Sequence, residues 1–174
     1  MPKADLHVDL LGRRLAGPVI AASGTFGFGP EYAGIEDLTL LGGISGKGLT
    51  LHGQPGNPGE RLHETPAGLM NSIGLQNPGV DHFIRHELPA MKALGTTVWA
   101  NLGGHPVEEN VEGVEKLCAA GIDFLELNIS CPNVKQGGLA FGIRAADAAG
   151  VVGAVRKVCT VPLIVKLSPQ AENL

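Results

Sequence analysis

The stretch Leu125-Glu126-Leu127-Asn128-Ile129-Ser130-Cys131-Pro132-Asn133-Val134 decides how this chain reads. A short apolar run, of a length that suits a buried strand, passes without a break into an asparagine, a cysteine and a second asparagine. Polar residues at a strand end usually serve only the backbone of a turn. Here a nucleophile or base stands between two carboxamides, and Pro132 fixes the chain directly behind it. Strand, polar cluster and the Gly-rich continuation from Val134 to Gly142 together read as an active-site edge.

Working outward, similar near-continuous apolar runs occupy residues 18–23, 43–47, 97–102 and 163–167 as well as 124–129. Such runs are expected of parallel strands covered on both faces. Helical spacing of apolar residues marks 80–94, ending at Gly95, and 145–159. The segment 107–120 opens after Pro106 and closes at Gly121, the usual asymmetry of a helix. A short helix is expected at 31–35, and a small hairpin with a Gly12-Arg13 turn ahead of the first main strand. Strand and helix in alternation imply a parallel α/β fold, either a barrel or an open sheet. The chain stops at Gln170-Ala171-Glu172-Asn173-Leu174, just beyond a strand. The expectation is therefore a single domain, residues 1–174, that is the N-terminal portion of an eight-stranded barrel, truncated to roughly its first five strands. Such a half barrel leaves strand edges uncovered.

Bulk properties narrow the function classes. The chain has 174 residues, 44% hydrophobic and 17% charged, which suits a globular domain rather than a disordered one. A net charge of −4 offers no basic footprint for nucleic acid or an anionic membrane. Three cysteines argue against a disulfide framework and suit a reducing compartment. Asp5, His7 and Asp9 stand where a secretory signal needs an apolar run, and no stretch approaches the ~20 apolar residues of a membrane span. A soluble, cytoplasmic chain is expected.

Each predicted strand delivers a chemically useful residue at its C-terminal end: Ser23, then Lys47 with Gly48, Asn101, Asn128 with Cys131, and Lys166 with Ser168. Ligands bind at this edge in barrels and open α/β sheets alike. A lysine inside a buried strand needs an anion, an acceptor or water. For Lys47 and Lys166 three readings stand: an internal ion pair with a carboxylate such as Glu126, a Schiff-base amine, or recognition of an anionic substrate or reduced flavin. Cys131 is either a small buried hydrophobe or a reactive thiol, and the surrounding proline and glycines favour a mobile loop over a core. Cys118 and Cys159, on or next to helices, read as core residues.

Several motifs fail. Ser45-Gly46-Lys47-Gly48 is no P-loop, because Leu41 stands at the first glycine position and Gly48 at the hydroxyl position. Gly27-Phe28-Gly29 lacks the third glycine of a dinucleotide fingerprint. No Cys-x-x-Cys spacing suggests a metal, and His82 with His86 reads as a solvated helix face. Residues 64–79, rich in Gly and Pro, read as a long connection able to wrap a planar polar ligand.

Taken in order, Ser23-Gly24-Thr25-Phe26-Gly27, Lys47-Gly48, Asn71-Ser72-Ile73-Gly74-Leu75-Gln76-Asn77-Pro78-Gly79, Asn128-Ile129-Ser130-Cys131-Pro132-Asn133-Val134 and Lys166-Leu167-Ser168-Pro169 resemble class 1 dihydroorotate dehydrogenase. The match runs over essentially the whole chain, and Val134-Lys135-Gln136-Gly137-Gly138 resembles the class 1B catalytic subunit. The resemblance implies an FMN-containing (β/α)8 TIM barrel that oxidises dihydroorotate to orotate in pyrimidine biosynthesis. It implies that Cys131 is the general base taking a proton from C5 while hydride passes from C6 to the flavin N5, with Lys47 and Lys135 as candidates for lowering the thiol pKa. It places Lys47, Asn71, Ser72, Ile73, Gly74, Leu75, Asn128 and Asn133 on the substrate. It places Ser23, Lys47, Gly48, Asn101, Asn128 and Lys166 on FMN, with Lys166 stabilising negative charge on the reduced ring. It also implies a partner subunit carrying FAD and a [2Fe-2S] cluster, which passes electrons to NAD in a heterotetramer of two of each chain. Family chains run to nearly twice this length, so these 174 residues alone are expected to bind FMN poorly and not to turn over. Alternatives from other classes are a Schiff-base aldolase on the same architecture, using Lys47 or Lys166, and a truncated non-catalytic subunit.

Overall fold

The computed structural model describes residues 4–104, 106–130, 138–169 and 171, and of 138–140 the backbone alone. An antiparallel hairpin opens the chain, β1 (Val8–Leu10) paired with β2 (Arg13–Leu15). Its turn sits at Leu11 and Gly12, both at positive φ, one residue earlier than the sequence suggests. This is the backbone sense that matches the twist of a two-residue hairpin. The main sheet begins with β3 (Ile20–Ala21) and, after two 3₁₀ turns at Pro30–Tyr32 and Leu38–Leu40, continues with β4 (Gly43–Ser45). Four short strands follow: β5 (His52–Gln54), β6 (Leu62–Thr65), β7 (Gly68–Asn71) and β8 (Asn77–Gly79).

A helical segment then runs through α1 (Val80–His82), a π-helical turn at Phe83–Glu87 and α2 (Leu88–Ala93). The remainder alternates: β9 (Val98–Leu102), α3 (Val107–Ala119), β10 (Phe124–Asn128), α4 (Gly138–Ile143), α5 (Ala145–Val158) and β11 (Leu163–Lys166).

Five strands form one parallel sheet in the order β11-β10-β9-β4-β3. Side chains alternate across its two faces, and the faces differ in kind. Ile44, Val98, Ala100, Leu102, Leu125 and Leu127 join one large cluster with Phe83, Met91, Val114, Leu117, Val151 and Val155 of the helices. Each of these side chains larger than alanine contributes roughly 1.5–3 kcal/mol by leaving water. The opposite face has only a small apolar floor of Leu15, Trp99 and Phe124, with Leu10, Ile20 and Ile164 against it. Trp99 and Phe124 stack with centroids 4.4 Å apart. Gly43 lies beneath them, where a Cβ would stand 2.4 Å from the Trp99 Nε1. Helices on one face alone distinguish a barrel wall from a doubly wound sheet.

All five predicted main strands are present, with ends trimmed by one to four residues; the first shrinks furthest, from 18–23 to Ile20–Ala21. Four other expectations change. Residues 64–79 are not an open connection: β6 pairs antiparallel with β7, and β8 pairs with β5. The expected 80–94 helix contains a π turn, because Pro89 has no N–H and its ring crowds the carbonyl four residues back. Within the segment read as a Gly-rich loop, Gly138–Ile143 is helical. The short helix at 31–35 is a 3₁₀ turn. Cys159 is buried at 3% exposure, and burial is the main cause that pushes its thiol pKa up. Among the described residues no helix is long and apolar enough to cross a membrane.

Candidate active site

Above the apolar floor, the same sheet face becomes polar. On β10 the alternation puts Phe124, Glu126 and Asn128 on this face, and on β9 Trp99 and Asn101. Glu126 and Asn101 are register partners on adjacent strands. The Glu126 Oε1 accepts hydrogen bonds from the Asn101 Nδ2 at 2.6 Å and the Ser23 Oγ at 3.0 Å. Its Oε2 accepts from the Ser45 Oγ at 2.7 Å. Burying a carboxylate is costly unless its lone pairs are met, and here three donors meet them. Glu126 is only 9% exposed.

The ion pair that the sequence allowed between a strand lysine and Glu126 does not form. Instead the Lys166 Nζ donates to the Ser23 Oγ at 3.0 Å, and Ser23 donates onward to Glu126. Ammonium and carboxylate thus share one hydroxyl. Lys166 stays exposed, at the sheet edge beside Asn128, its register partner. The Asn128 Oδ1 accepts from the Ser130 N–H at 3.1 Å and the Ser130 Oγ at 2.8 Å, fixing its carboxamide in the turn that leaves β10.

Because the Asn101 amide nitrogen is committed to Glu126, its Oδ1 faces the other way and is buried without a hydrogen-bond partner among the described residues. A Cβ at Gly48 would stand 2.8 Å from this oxygen, so only glycine at that position lets the Asn101 carboxamide sit where it does. Gly24, at φ 81°, has open space where a Cβ would be.

Lys47 projects from the end of β4, half-buried, with no hydrogen bond or ion pair from its side chain among the described residues. It lines a cavity of about 300 Å³ together with Gly24, Asn71, Ile73, Gly74 and Leu75, and with Leu62 and Leu69 of the β6–β7 ribbon. The loop behind that cavity is tightly tied. Ser72 N–H donates to the Arg61 carbonyl, and the Asn57 side chain donates to the Ser72 Oγ at 2.9 Å. Gly74 adopts φ 73°, and a Cβ there would meet the Asn57 backbone nitrogen at 2.6 Å. Leu75 is held at φ 52°, which is strained for a side chain of its kind. Asn77, buried, secures the next step: its Oδ1 accepts from the Thr50 and Gly79 N–H groups, and its Nδ2 donates to the Leu75 carbonyl.

The structure therefore gathers Ser23, Gly48, Asn101, Asn128 and Lys166 along one edge, and Lys47, Asn71, Ile73, Gly74 and Leu75 around the adjoining cavity. Ser72 faces Asn57, on the far side of the ribbon. Cys131, Asn133 and Lys135 lie outside the described residues. Sequence reasoning missed the part played by Glu126, Ser45 and Asn77. Glu126 carried a usable signal, a lone carboxylate at an inward-facing position of an apolar strand. His82 and His86 are exposed on the helix surface with rings 4.4 Å apart, and among the described residues no group of three or more His, Cys, Asp or Glu could hold a metal.

A parallel barrel wall, backed by helices and carrying its polar groups at the C-terminal strand ends, places this chain in the (β/α)8 class. Within that class the family model for dihydroorotate dehydrogenase matches residues 5–174, and the chain belongs to that family. It is 55% identical over 170 residues to a Petrotoga mobilis protein named dihydroorotate dehydrogenase B (NAD(+)), catalytic subunit, covering 98% of this chain and 57% of that one. A Geotalea daltonii protein of the same name is 49% identical over 175 residues, covering 100% and 57%. The chain thus spans a little over half the length of these relatives. Among solved structures, ligand-free DHODH from Eimeria tenella superposes with a TM-score of 0.73 at 19% identity, over 97% of this chain and 56% of that one, a likeness of fold.

Proposed function

We propose that this chain forms the first part of an FMN-binding barrel that oxidises dihydroorotate to orotate, in the manner its relatives' name describes. The observation that carries the reading is the buried, unpartnered Asn101 Oδ1 facing Gly48, beside the Lys166–Ser23 pair. An acceptor in that position calls for an N–H donor, and the lysine for an electron-rich atom. The polar edge of an isoalloxazine ring offers both, and the missing Cβ atom at Gly24 leaves open space beside the strand ends for a flat ring. Ser23, Lys47, Gly48, Asn101, Asn128 and Lys166 would hold the flavin. When bound, FMN supplies the hydride acceptor that no side chain can provide.

The chain's own residues bind and orient the substrate and move its proton. Asn71, with Ile73, Gly74 and Leu75, borders the cavity, and the Ser72 backbone completes the substrate side of the loop. Lys47 lines the same cavity and meets the substrate carboxylate there. Asn128 and Asn133 flank the pyrimidine ring. Cys131, three residues beyond the end of β10, acts as general base, and its thiolate is favoured by Lys47 and Lys135. A partner subunit with FAD and a [2Fe-2S] cluster carries the electrons onward to NAD, two copies of each chain assembling together, in the cytoplasm.

Visible absorbance tests the reading. The 174-residue chain, and the chain extended to the end of its reading frame, are each mixed with FMN, freed of excess and given dihydroorotate without oxygen. A flavin band that bleaches in the extended protein, and not in the shorter one, is the expected outcome. No retained flavin in either sample rejects the reading and brings forward a lysine-based aldolase, for which borohydride trapping on Lys47 or Lys166 is the direct check.

A further inference from the structure

The hydrogen bonds around Glu126 have a direction that the flavin reading does not itself require. A carboxylate only accepts. Its three partners must therefore all present donors: the Asn101 NH₂, the Ser23 hydroxyl and the Ser45 hydroxyl. Two consequences are fixed at once. The Asn101 amide cannot rotate by half a turn, because its oxygen would then face a carboxylate oxygen at 2.6 Å. The Ser23 proton points at Glu126, so the Ser23 oxygen is left to receive the Lys166 ammonium.

We propose that Glu126 is a positioning residue for the ligand edge. Through one carboxylate it sets which atom of Asn101 faces the ligand and where Lys166 is anchored, while touching neither ligand nor solvent appreciably. Glu126 is 9% exposed, and among the described residues its side chain hydrogen-bonds to these three. The ligand so selected is planar, with an N–H donor beside an electron-rich atom. The inference deepens the flavin reading and rests on it for the identity of that ligand, but the internal arrangement is measurable without any ligand.

The substitutions Glu126→Ala and Glu126→Gln separate position from charge. Glutamine keeps an acceptor for Asn101 and Ser23, and Ser45 can reverse its hydroxyl to accept the new amide. Alanine keeps nothing. The ¹⁵N side-chain amide signal of Asn101, identified by its loss in Asn101→Asp, reads the orientation in the protein extended to the end of its reading frame. Slow hydrogen exchange of that amide is expected in the wild type and in Glu126→Gln, and its loss in Glu126→Ala. FMN affinity, followed by flavin fluorescence in the same proteins, is expected to fall by about tenfold or more in Glu126→Ala and to be largely restored in Glu126→Gln.

An Asn101 amide that behaves alike in all three proteins overturns the proposal. So does a glutamine variant as impaired as alanine, since charge and not position would then be at stake. If the wild-type protein extended to the end of its reading frame binds no FMN while the amide signal still depends on residue 126, the flavin reading fails and the positioning role stands. Should Glu126→Ala not fold, Ser23→Ala tests the lysine arm alone: weaker FMN binding with an unaltered Asn101 signal supports the proposal, and unaltered binding counts against it.

Discussion

Among single residues, Asn77 has the most structural obligations relative to its size. It receives the N–H groups of Thr50 and Gly79, exchanges hydrogen bonds with the Thr50 hydroxyl, and donates to the Leu75 carbonyl, all in a buried setting. Removing the carboxamide leaves two backbone donors without their partner, which costs about 1–3 kcal/mol for each group left unmet. Asn77→Ala is therefore expected to lower the urea midpoint clearly and to loosen the loop that carries Asn71 to Leu75. A midpoint within error of wild type would show that water replaces these bonds. No reading of the sequence alone separates Asn77 from the other asparagines of its segment, because its role comes from Thr50, 27 residues earlier, across β5 and β8. Glu126 was more legible, since charge on the inward side of a strand always demands a partner. Its partners were not, because Ser23 and Ser45 look ordinary until the sheet order brings them beside it.

At the scale of elements, legibility followed how much of the signal was local. β9, β10 and β11 are continuous apolar runs flanked by turn residues, and they were placed within a residue or two. α3 has proline before it and glycine after, and its predicted ends hold within one residue. The β6–β7 and β5–β8 ribbons escaped notice because glycine and proline at their turns outweigh their short strands, and pairing supplies what propensity lacks. The π turn before Pro89 has a local cause but is invisible to apolar periodicity. Within the ribbon region, Leu75 at φ 52° is a place where the fold strains its own sequence. Leu75→Gly removes a cost of about 1 kcal/mol for left-handed backbone, offset by the greater freedom of glycine when unfolded. Little net change in thermal midpoint is expected, with weaker packing against the cavity. A rise of several degrees would mean that strain dominates, whereas a large fall would mean that the leucine side chain is the main support of this loop.

For the whole molecule, stability is concentrated on one side of the sheet. The helix-facing cluster gathers most of the buried apolar side chains, while the opposite face relies on a thin floor and a hydrogen-bonded polar layer. Cys159 belongs to the thick side, and its raised thiol pKa ties global stability to pH. Burial disfavours the thiolate in the folded state only, so the unfolded chain loses this proton first as pH rises. Its contribution is complete below the ordinary thiol range and is lost as pH climbs through the raised value. Cys159→Ser, which can keep a donor to the Val161 carbonyl, should flatten that alkaline decline in a denaturation series across pH. A slope identical to wild type would locate the alkaline weakness elsewhere. Among the described residues the strands β3 and β11 each have a neighbour on one side only, so the 174-residue chain is expected to associate with rising concentration in sedimentation.

The stacked floor also provides a natural optical reporter. Trp99 is the chain's single tryptophan, 5% exposed and lying face to face with Phe124. Asn101 is two residues along the same strand, roughly 7 Å higher. Indole light emitted from so dry and fixed a position is blue-shifted, and a yellow chromophore seated just above absorbs it. Ultraviolet excitation of this one ring therefore reports, without any label, both whether the base of the wall is intact and whether its upper rim is filled.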